Sequence, residues 1–393
     1  MDVIGIPSLR TLTAAALALA CLHAVSQTRD SYARQRNAAI TLQQQGRVAE
    51  AEAAWQAIFK SHPTDAEACA NIGFLESQQQ HYPQAVHYYS KAAALNPGLP
   101  GLRMNLGLAL FKAGEMKQAA GVFLPLYREA NPDSPDAQRL RLLIGMADYG
   151  ARSYAAAVPF LREAMARDPQ NLPYRLVLAH SCLWSKDYQC VLDVYHQILN
   201  LNAESAEADM LAGEAYDEMR DDNDAIQQFR RAVRADPRVP GVHFGLGYLL
   251  WCRNDLTEAA QQFQLEADNV PRDAQSIAYW GDSELRLNHP EAARPLVERA
   301  LKLNNSQELP WIDLGILDSG AGRRDDAIRE FKQAERLAPA DAQAHWRLAR
   351  LYQSMGMRAD AQAEFDKTKN LNKAENQQLV EKLRPQQGSD APH

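Results

Sequence analysis

The fold is decided by a stretch that recurs along the chain, and residues 66–99, AEACANIGFLESQQQHYPQAVHYYSKAAALNPGL, are one copy of it. This copy carries Ile72-Gly73 in its first half, then Ala85, a large ring at Tyr89 four residues later, and Pro97 near its end. The same residue types return 34 residues further along, and again at most later steps of that length. A fixed period of this size indicates an array of repeated structural units.

Three positions of the repeat stay in phase, apart from four extra residues in the step from Gly107 to Gly145. Small residues hold the first position: Gly73, Gly107, Gly145, Ala179, Gly213, Gly247, Gly281, Gly315 and Ala349. Alanine holds the second position, with Val191 as the exception: Ala51, Ala85, Ala119, Ala157, Ala225, Ala259, Ala293, Ala327 and Ala361. Large residues follow four places later: Trp55, Tyr89, Phe123, Leu161, Tyr195, Phe229, Phe263, Val297, Phe331 and Phe365.

These positions predict a pair of antiparallel helices in each unit. Small residues on both helices allow the two backbones to approach closely, and apolar residues three and four apart form one stripe per helix. The large residue after the alanine fills the space between neighbouring hairpins, and proline ends the second helix because it cannot continue it. Since one unit cannot bury its stripe alone, the units must stack.

The spacing resembles the tetratricopeptide repeat (TPR) family, whose signature is a 34-residue helix–turn–helix with Gly, Ala, aromatic and Pro residues at these places. The resemblance implies an all-α fold, a right-handed superhelical solenoid of about ten units. Those units span residues 32–372 and start near residues 32, 66, 100, 138, 172, 206, 240, 274, 308 and 342. A C-terminal capping helix is predicted over residues 373–384, followed by a disordered tail at 385–393.

The N-terminus has the features of an export signal. Arg10 precedes an apolar run, and Ala24-Val25-Ser26 offers small residues where a signal peptidase reads. Residues 1–26 are therefore predicted to be a signal peptide, with a mature chain from Gln27 in the periplasm or cell envelope. Two alternatives stay open: a membrane or lipid anchor through Cys21, or a buried helix of a cytoplasmic protein.

Composition and motifs exclude several functions. A net charge of −7 leaves no basic footprint for nucleic acid. The chain has no GxxxxGK[ST] loop, HExxH, GxSxG or CxxCH motif, and Gly245-Leu246-Gly247 lies inside a predicted helix rather than in a dinucleotide loop. We therefore expect no enzyme activity, no cofactor and no metal site.

In the family, the first helix of each unit lines the concave groove, so the partner-binding candidates come from those helices. Asn37, Asn71 and Asn105 occupy the same place in three consecutive units. Their amides could both donate to and accept from the backbone of an extended peptide, and they resemble the asparagine ladder of protein O-GlcNAc transferases. Because asparagine is also the commonest family residue at this place, a purely structural role stays open.

Apolar and aromatic rows follow along the same groove. The candidates for partner contact are Phe111, Met146, Tyr149, Trp184, Tyr248 and Trp251. Exposed rows of this kind mark interaction surfaces, although a long superhelix could bury some of them. Between the rows, Glu214, Asp217 and Glu218 favour a ligand with a basic residue, or are simply a solvated face.

Five cysteines are present, and two of them frame the turn of the fifth unit. Cys182 and Cys190 lie at similar distances from that turn on antiparallel helices, so a disulfide is geometrically possible and an oxidising compartment would favour it. Two free buried thiols, a redox site or a metal site are the alternatives. Cys69 and Cys252 fall in different units and are expected to be unpaired core residues.

The resulting hypothesis is an exported bacterial-type, non-catalytic scaffold that binds a protein or peptide segment in its concave groove. By analogy with exported TPR proteins, a role in assembling a cell-envelope complex follows. Two other functions stay open: a structural adaptor that oligomerises or tethers envelope components, and a partner that presents substrates to a separate enzyme. Membrane association is expected through the N-terminus only.

Overall fold

The computed structural model describes residues 31–168, 170–201 and 204–383, with side chains omitted at 375, 376 and 378–383. The predicted signal peptide and C-terminal tail lie outside the described residues. The chain divides into two compact units, unit 1 ending at Asp187 and unit 2 beginning at Tyr188. Within the described ranges, both are built of α-helices joined by turns.

Unit 1 is a stack of helix hairpins in which consecutive helices from α2 onward pack against each other. The first helices α3 and α5 also touch, as do α7 and α9. Its helices are α1 (31–44), α2 (Val48–Ser61), α3 (Ala66–Gln78), α4 (Tyr82–Leu95), α5 (Leu102–Lys112), α6 (Met116–Glu129), α7 (Pro135–Gly150), α8 (Tyr154–Arg167) and α9 (Leu172–Trp184).

Unit 2 follows the same plan over a longer stretch. The first helices α11, α13, α15, α17 and α19 each contact the next, so they form one continuous layer. Its helices are α10 (Tyr188–Asn200), α11 (Ala206–Glu218), α12 (Asp222–Ala235), α13 (Val242–Cys252), α14 (Leu256–Asn269), α15 (Ala274–Arg286), α16 (Pro290–Leu303), α17 (Leu309–Gly320), α18 (Arg324–Leu337), α19 (Ala342–Ser354) and α20 (Arg358–Leu383). The predicted all-α repeat fold is confirmed in both units.

The repeat positions identified in the sequence meet at the contacts between helices. A Cβ atom added to Gly315 on α17 would lie 2.5 Å from Cε1 of Phe331 on α18, and one on Gly247 would lie 2.9 Å from Cε1 of Phe263. Both rings are buried. In these two repeats the helices therefore approach so closely that only glycine leaves room for the facing ring.

The turn inside each repeat has one recurring backbone feature. Its second residue adopts a left-handed conformation, which four of the ten repeats supply with glycine. In the other six repeats the residue has a side chain: Gln80, Arg152, Lys186, Arg220, Asn254 and Asn288. Because such a conformation costs about 1–2 kcal/mol outside glycine, packing of the hairpin must stabilise the turn in those repeats.

The C-terminal end differs from the sequence prediction. The predicted capping helix at 373–384 is not a separate element, because α20 continues from Arg358 to Leu383 without a break. This segment contains no Pro, the residue that follows the end of most other second helices of the array. The continuous helix carries the second half of the last repeat and extends beyond it.

No helix in the described ranges combines the length and apolar character needed to cross a bilayer.

Candidate functional site

The candidate surface is the set of exposed and half-buried residues on the first helices, which we call the first-helix face. In both unit 1 and unit 2, this face lies on helices that pack against the preceding and the following hairpin. Side chains there are held by a rigid layer, which suits a recognition surface.

The three asparagines on this face are not equivalent. Asn37 on α1 is exposed, whereas Asn71 and Asn105 are half-buried. Asn71 Nδ2 donates to the carbonyl oxygen of Glu67, 2.9 Å away in the same helix. That donor is thus engaged before any peptide arrives, and peptide contact by the three stays a prediction.

The apolar candidates of unit 1 fall into two groups. Phe111 and Met146 are half-buried, and Phe111 packs against the core around Leu110 and Phe123, so it contributes to stability. Trp184 keeps 63% of its surface exposed at the end of α9.

Trp184 belongs to a small aromatic group in unit 1. Its ring stacks on Tyr154 at 6.0 Å, and Tyr154 meets Tyr149 edge-on at 5.8 Å. We call Tyr149, Tyr154 and Trp184 the unit 1 patch. Tyr154 was missed in the sequence because it begins a second helix, where no groove residue was sought.

Unit 2 carries a larger aromatic group on two adjacent first helices. Phe244, Tyr248 and Trp251 of α13 and Tyr279 of α15 form the unit 2 patch. Tyr248 stacks with Trp251 at 6.1 Å, and Tyr279 stands edge-on to both, 5.6 Å from Tyr248 and 5.1 Å from Trp251. Tyr248 is 36% exposed. Phe244, Trp251 and Tyr279 also pack against the core of unit 2. The patch is therefore a preformed aromatic group whose rings fix one another's orientation and whose exposed member is Tyr248.

Polar groups of α15 hold Trp251 in place. Its Nε1 donates to Asp282 Oδ2 at 2.5 Å, and the guanidinium of Arg286 lies 4.8 Å from the ring centroid. Tyr279, Asp282 and Arg286 were not singled out in the sequence. They occupy the sixth, ninth and thirteenth places of their repeat, which are groove positions in the TPR frame, so that frame could have found them.

Two buried carboxyls lie beside this patch. Asp282 is 7% exposed and Asp313 on α17 is 1% exposed, and the two side chains hydrogen-bond each other. Burial, reinforced by the charge of Asp282, raises the pKa of Asp313 well above its usual range. This favours the protonated form of Asp313, which can donate to Asp282 while Asp282 accepts from Trp251.

The acidic residues of α11 lie next to the patch along the layer of first helices. Glu214 and Glu218 are exposed, and Glu218 Oε2 accepts a hydrogen bond from the Tyr188 hydroxyl at 3.2 Å. Burial, together with the charges of Asp222 and Glu218, raises the pKa of the half-buried Asp217. Three acidic side chains therefore lie close together on α11.

Comparison with known proteins agrees with the helix hairpins and their spacing. One family model, described as tetratricopeptide repeat, matches residues 75–135 and 210–274, and a second of the same description matches residues 318–383. The chain is a tetratricopeptide repeat protein. The export predicted from its first residues is not tested by these matches.

Curated relatives are distant TPR proteins. The chain is 26% identical over 225 residues to BBSome complex member BBS4 of Mus musculus, covering 49% of this chain and 43% of that protein. It is 24% identical over 212 residues to anaphase-promoting complex subunit 3 of Schizosaccharomyces pombe, covering 53% of this chain and 32% of that protein. The chain thus spans less than half the length of these relatives.

Solved structures give similar matches. One is YrrB, described as a TPR protein with an unusual peptide-binding site. The match has 19% identity and a TM-score of 0.38, and it covers 45% of this chain and 91% of that chain. Another is a TPR protein from Parabacteroides merdae, at 17% identity, 60% of this chain, 91% of that chain and a TM-score of 0.46.

One cluster in the last two TPR units has the donor types of a metal site. Donor atoms of Glu335, His345 and Glu364 lie within 4.8 Å of one another. However, Lys367 Nζ already contacts Glu335 at 3.2 Å and Glu364 at 2.9 Å, and His345 Nδ1 lies 2.7 Å from Glu364. The cluster is an ion-pair network that ties α18, α19 and α20 together.

The cysteines of the array occupy different environments. Cys69 is buried and free, as expected, whereas the free Cys252 is exposed at the end of α13, so its prediction as a core residue was wrong. Cys182 and Cys190 are both buried, and the disulfide between them stays a prediction.

Proposed function

We propose that this TPR protein is a non-catalytic interaction scaffold whose unit 2 patch anchors an extended segment of a partner protein. TPR repeats by themselves indicate a protein–protein interaction scaffold. The observation that carries the finer proposal is the preformed group of Phe244, Tyr248, Trp251 and Tyr279 on adjacent first helices.

Physical reasons favour this patch as the anchor. Tyrosine and tryptophan dominate binding energy at interfaces because they bury large areas with few rotatable bonds. Here the rings already restrain one another, and Asp282 fixes Trp251, so little side-chain entropy is lost when a partner binds. An apolar or aromatic side chain of the partner fits such a surface.

The charge next to the patch suggests a second feature of the partner. Glu214, Asp217 and Glu218 on α11 would attract a basic residue that precedes or follows the apolar anchor. The unit 1 patch around Trp184 provides a separate aromatic surface that could bind another part of the same partner.

A peptide array probed with the purified protein tests the anchor. We expect Tyr248→Ala to weaken the best-bound peptides at least about tenfold, as removal of an interface hot spot does. Because Tyr248 is partly exposed, the variant should fold normally. Trp184→Ala, tested in parallel, reports on the unit 1 patch.

The matched control is Leu265→Ala, which removes an exposed apolar side chain from the second helix α14. It should bind as the wild type does. Unchanged binding by both Tyr248→Ala and Trp184→Ala would remove the first-helix face as the binding surface. A stable homo-oligomer in light scattering would instead favour the adaptor function.

We also propose that the protein is exported and acts in the cell envelope, on the basis of the signal-like residues 1–26. A disulfide at Cys182 and Cys190 would suit such an oxidising compartment. Membrane association would then depend on whether those first residues are cleaved or retained.

Peptide mapping without reduction tests the cysteine pair. We expect one linked peptide that joins Cys182 to Cys190, and a loss of about 2–3 kcal/mol of stability when both are replaced by serine. Cys69 and Cys252 serve as internal controls and should react as free thiols once the chain is unfolded, since Cys69 is buried in the native protein. Free thiols at Cys182 and Cys190 in the native protein would contradict the bond.

A further inference from the structure

The first-helix face of unit 2 also contains a cavity near its C-terminal end, between α17 and α19. Its volume is about 250 Å³. Ile316, Phe331 and Leu351 form its apolar walls. The rest is lined by Trp346, Arg347 and Arg350 of α19 and by the hydroxyls of Ser319 and Ser354. A cavity with apolar walls and two guanidinium groups suits a ligand that has a short aliphatic stem and an anionic end.

Neither of these arginines has a carboxylate partner among the described residues. Both guanidinium groups instead lie over the ring of Trp346, at 5.1 Å for Arg347 and 5.3 Å for Arg350. Arg347 Nε is buried and lacks a hydrogen-bond partner. By contrast, Arg286 on α15 bonds to Asn254 and lies 3.6 Å from Asp282. Unused donors facing a cavity indicate a site that a ligand completes.

The charge balance around the cavity is positive. Burial lowers the pKa of Arg347, and the neighbouring charge of Arg350 adds to that effect, while Asp313 and Asp282 oppose it. The Asp313 carboxyl, however, is fully buried and its protonated form is favoured, so it compensates these cations poorly. An anion placed between Arg347 and Arg350 would relieve their repulsion.

The cavity also completes a charge order along the layer of first helices. Acidic side chains lie on α11, the aromatic patch on α13 and α15, and the unpaired arginines on α19. Successive first helices touch, and packed helices are about 8–10 Å apart. The distance from α13 to α19 is then about 25–30 Å, which about eight residues of extended chain would span.

We propose that this cavity binds the side chain of an acidic residue, glutamate above all, in the partner segment whose apolar anchor lies on the unit 2 patch. Arg347 and Arg350 take the carboxylate, and Ile316 and Leu351 contact the methylene groups. A cavity of about 250 Å³ has room for that stem as well as for the carboxylate. The inference rests on the proposed function and adds the charge order of the segment: basic, apolar, acidic.

Fluorescence anisotropy with synthetic peptides tests this order. The probes are twelve-residue, N-acetylated and C-amidated peptides with one arginine, a Leu-Tyr-Leu anchor and one glutamate placed five to eight residues from the anchor, made in both chain directions. Each probe has a control peptide that carries glutamine in place of the glutamate. We expect the best glutamate peptide to bind about tenfold more tightly than its glutamine control.

Arg350→Gln should abolish that tenfold preference, and an exposed arginine of α18 provides the matched control, Arg324→Gln, which should preserve it. Arg350 is itself exposed, so the substitution leaves the packing of α19 intact. The half-buried Arg347 is left unchanged, which keeps unfolding from imitating a loss of binding.

Four results would overturn the proposal. Equal binding of glutamate and glutamine peptides removes the acidic subsite, and if Tyr248→Ala still weakens both, the proposed function stands without it. A preference that survives Arg350→Gln places the acid elsewhere. Recovery of binding by a glutamine peptide with a free C-terminal carboxylate assigns the cavity to a chain terminus. If no peptide of the panel binds the wild type, the proposed function and the subsite fall together.

Discussion

Replacing Phe229 by alanine is expected to lower the free energy of unfolding of unit 2 by about 3–5 kcal/mol, the usual cost of emptying a buried phenylalanine site. Phe229 on α12 is 4% exposed. A Cβ atom added to Gly213 on α11 would lie 2.7 Å from Cδ2 of the ring, and one on Gly245 of α13 would also meet the ring. Phe229 therefore fills space both within its own repeat and against the next one.

Urea unfolding gives the overall change, and hydrogen exchange of α11–α14 locates it, because repeat arrays can unfold locally. A matched pair of glycine substitutions tests the same contact. Gly245→Ala should destabilise by about 1–3 kcal/mol through overpacking against Phe229. Gly121→Ala on α6, where an added Cβ has no neighbour within 4 Å, should stabilise by about 0.5–1 kcal/mol. A loss below about 1 kcal/mol for Phe229→Ala would contradict the assigned packing.

The second large effect is a pH dependence of stability centred on Glu330. Asp318 Oδ1 accepts a hydrogen bond from Arg323 Nη2 at 2.5 Å and another from Arg294, and the Asp318 carboxyl also shares a hydrogen bond with Glu330. Two carboxyls in such contact need a proton between them. Burial, together with the hydrogen bond and charge of Asp318, raises the pKa of Glu330 to about 8.

The number of protons bound by the folded and the unfolded chain gives the direction in which stability changes with pH. Between the ordinary glutamate pKa and about 8, the folded chain binds one proton at Glu330 that the unfolded chain has released. The stabilisation from this group is complete below the unfolded pKa and is lost as pH rises through the folded value. The slope is at most about 1.4 kcal/mol per pH unit. We expect the free energy of unfolding to fall between pH 5 and pH 8.

Glu330→Gln should remove this part of the slope, since the amide can still donate to Asp318 and does not titrate. Urea titrations at pH 5, 6.5 and 8, followed by exchange of α17 and α18, provide the measurement. Glu291→Gln, at an exposed glutamate of α16, should keep the wild-type slope. Identical slopes for wild type and Glu330→Gln would show that the proton is not held at this pair.

The fold could be predicted because the residues that pack against each other within a repeat recur at fixed positions in the sequence. The contacts between Gly247 and Phe263, and between Gly315 and Phe331, join positions 16 residues apart in one hairpin, and their phase is visible in the sequence. The C-terminal boundary could not be placed in the same way. The absence of Gly and Pro between Arg358 and Leu383 permits a continuous α20, but the resemblance to arrays with a separate capping helix suggested a break.

The candidate site could be predicted in part. The repeat frame pointed to Tyr248 and Trp251, while Tyr279 and Asp282 on the next first helix were missed. These partners lie about one repeat away along the chain, at 31 residues for Trp251 and Asp282. Many side chains recur at that separation, so the sequence alone does not single out the pair that touches.

By itself, the sequence determined the helical repeat and its 34-residue period, because these depend on interactions that each repeat contains. Only the tertiary structure decided which charged groups are paired. Arg286 meets Asn254 across one repeat, whereas Arg347 and Arg350 face a cavity, although all three are arginines on first helices. The reason is that such pairing depends on how neighbouring hairpins pack, and that geometry brings together side chains whose sequence positions carry no distinguishing signal.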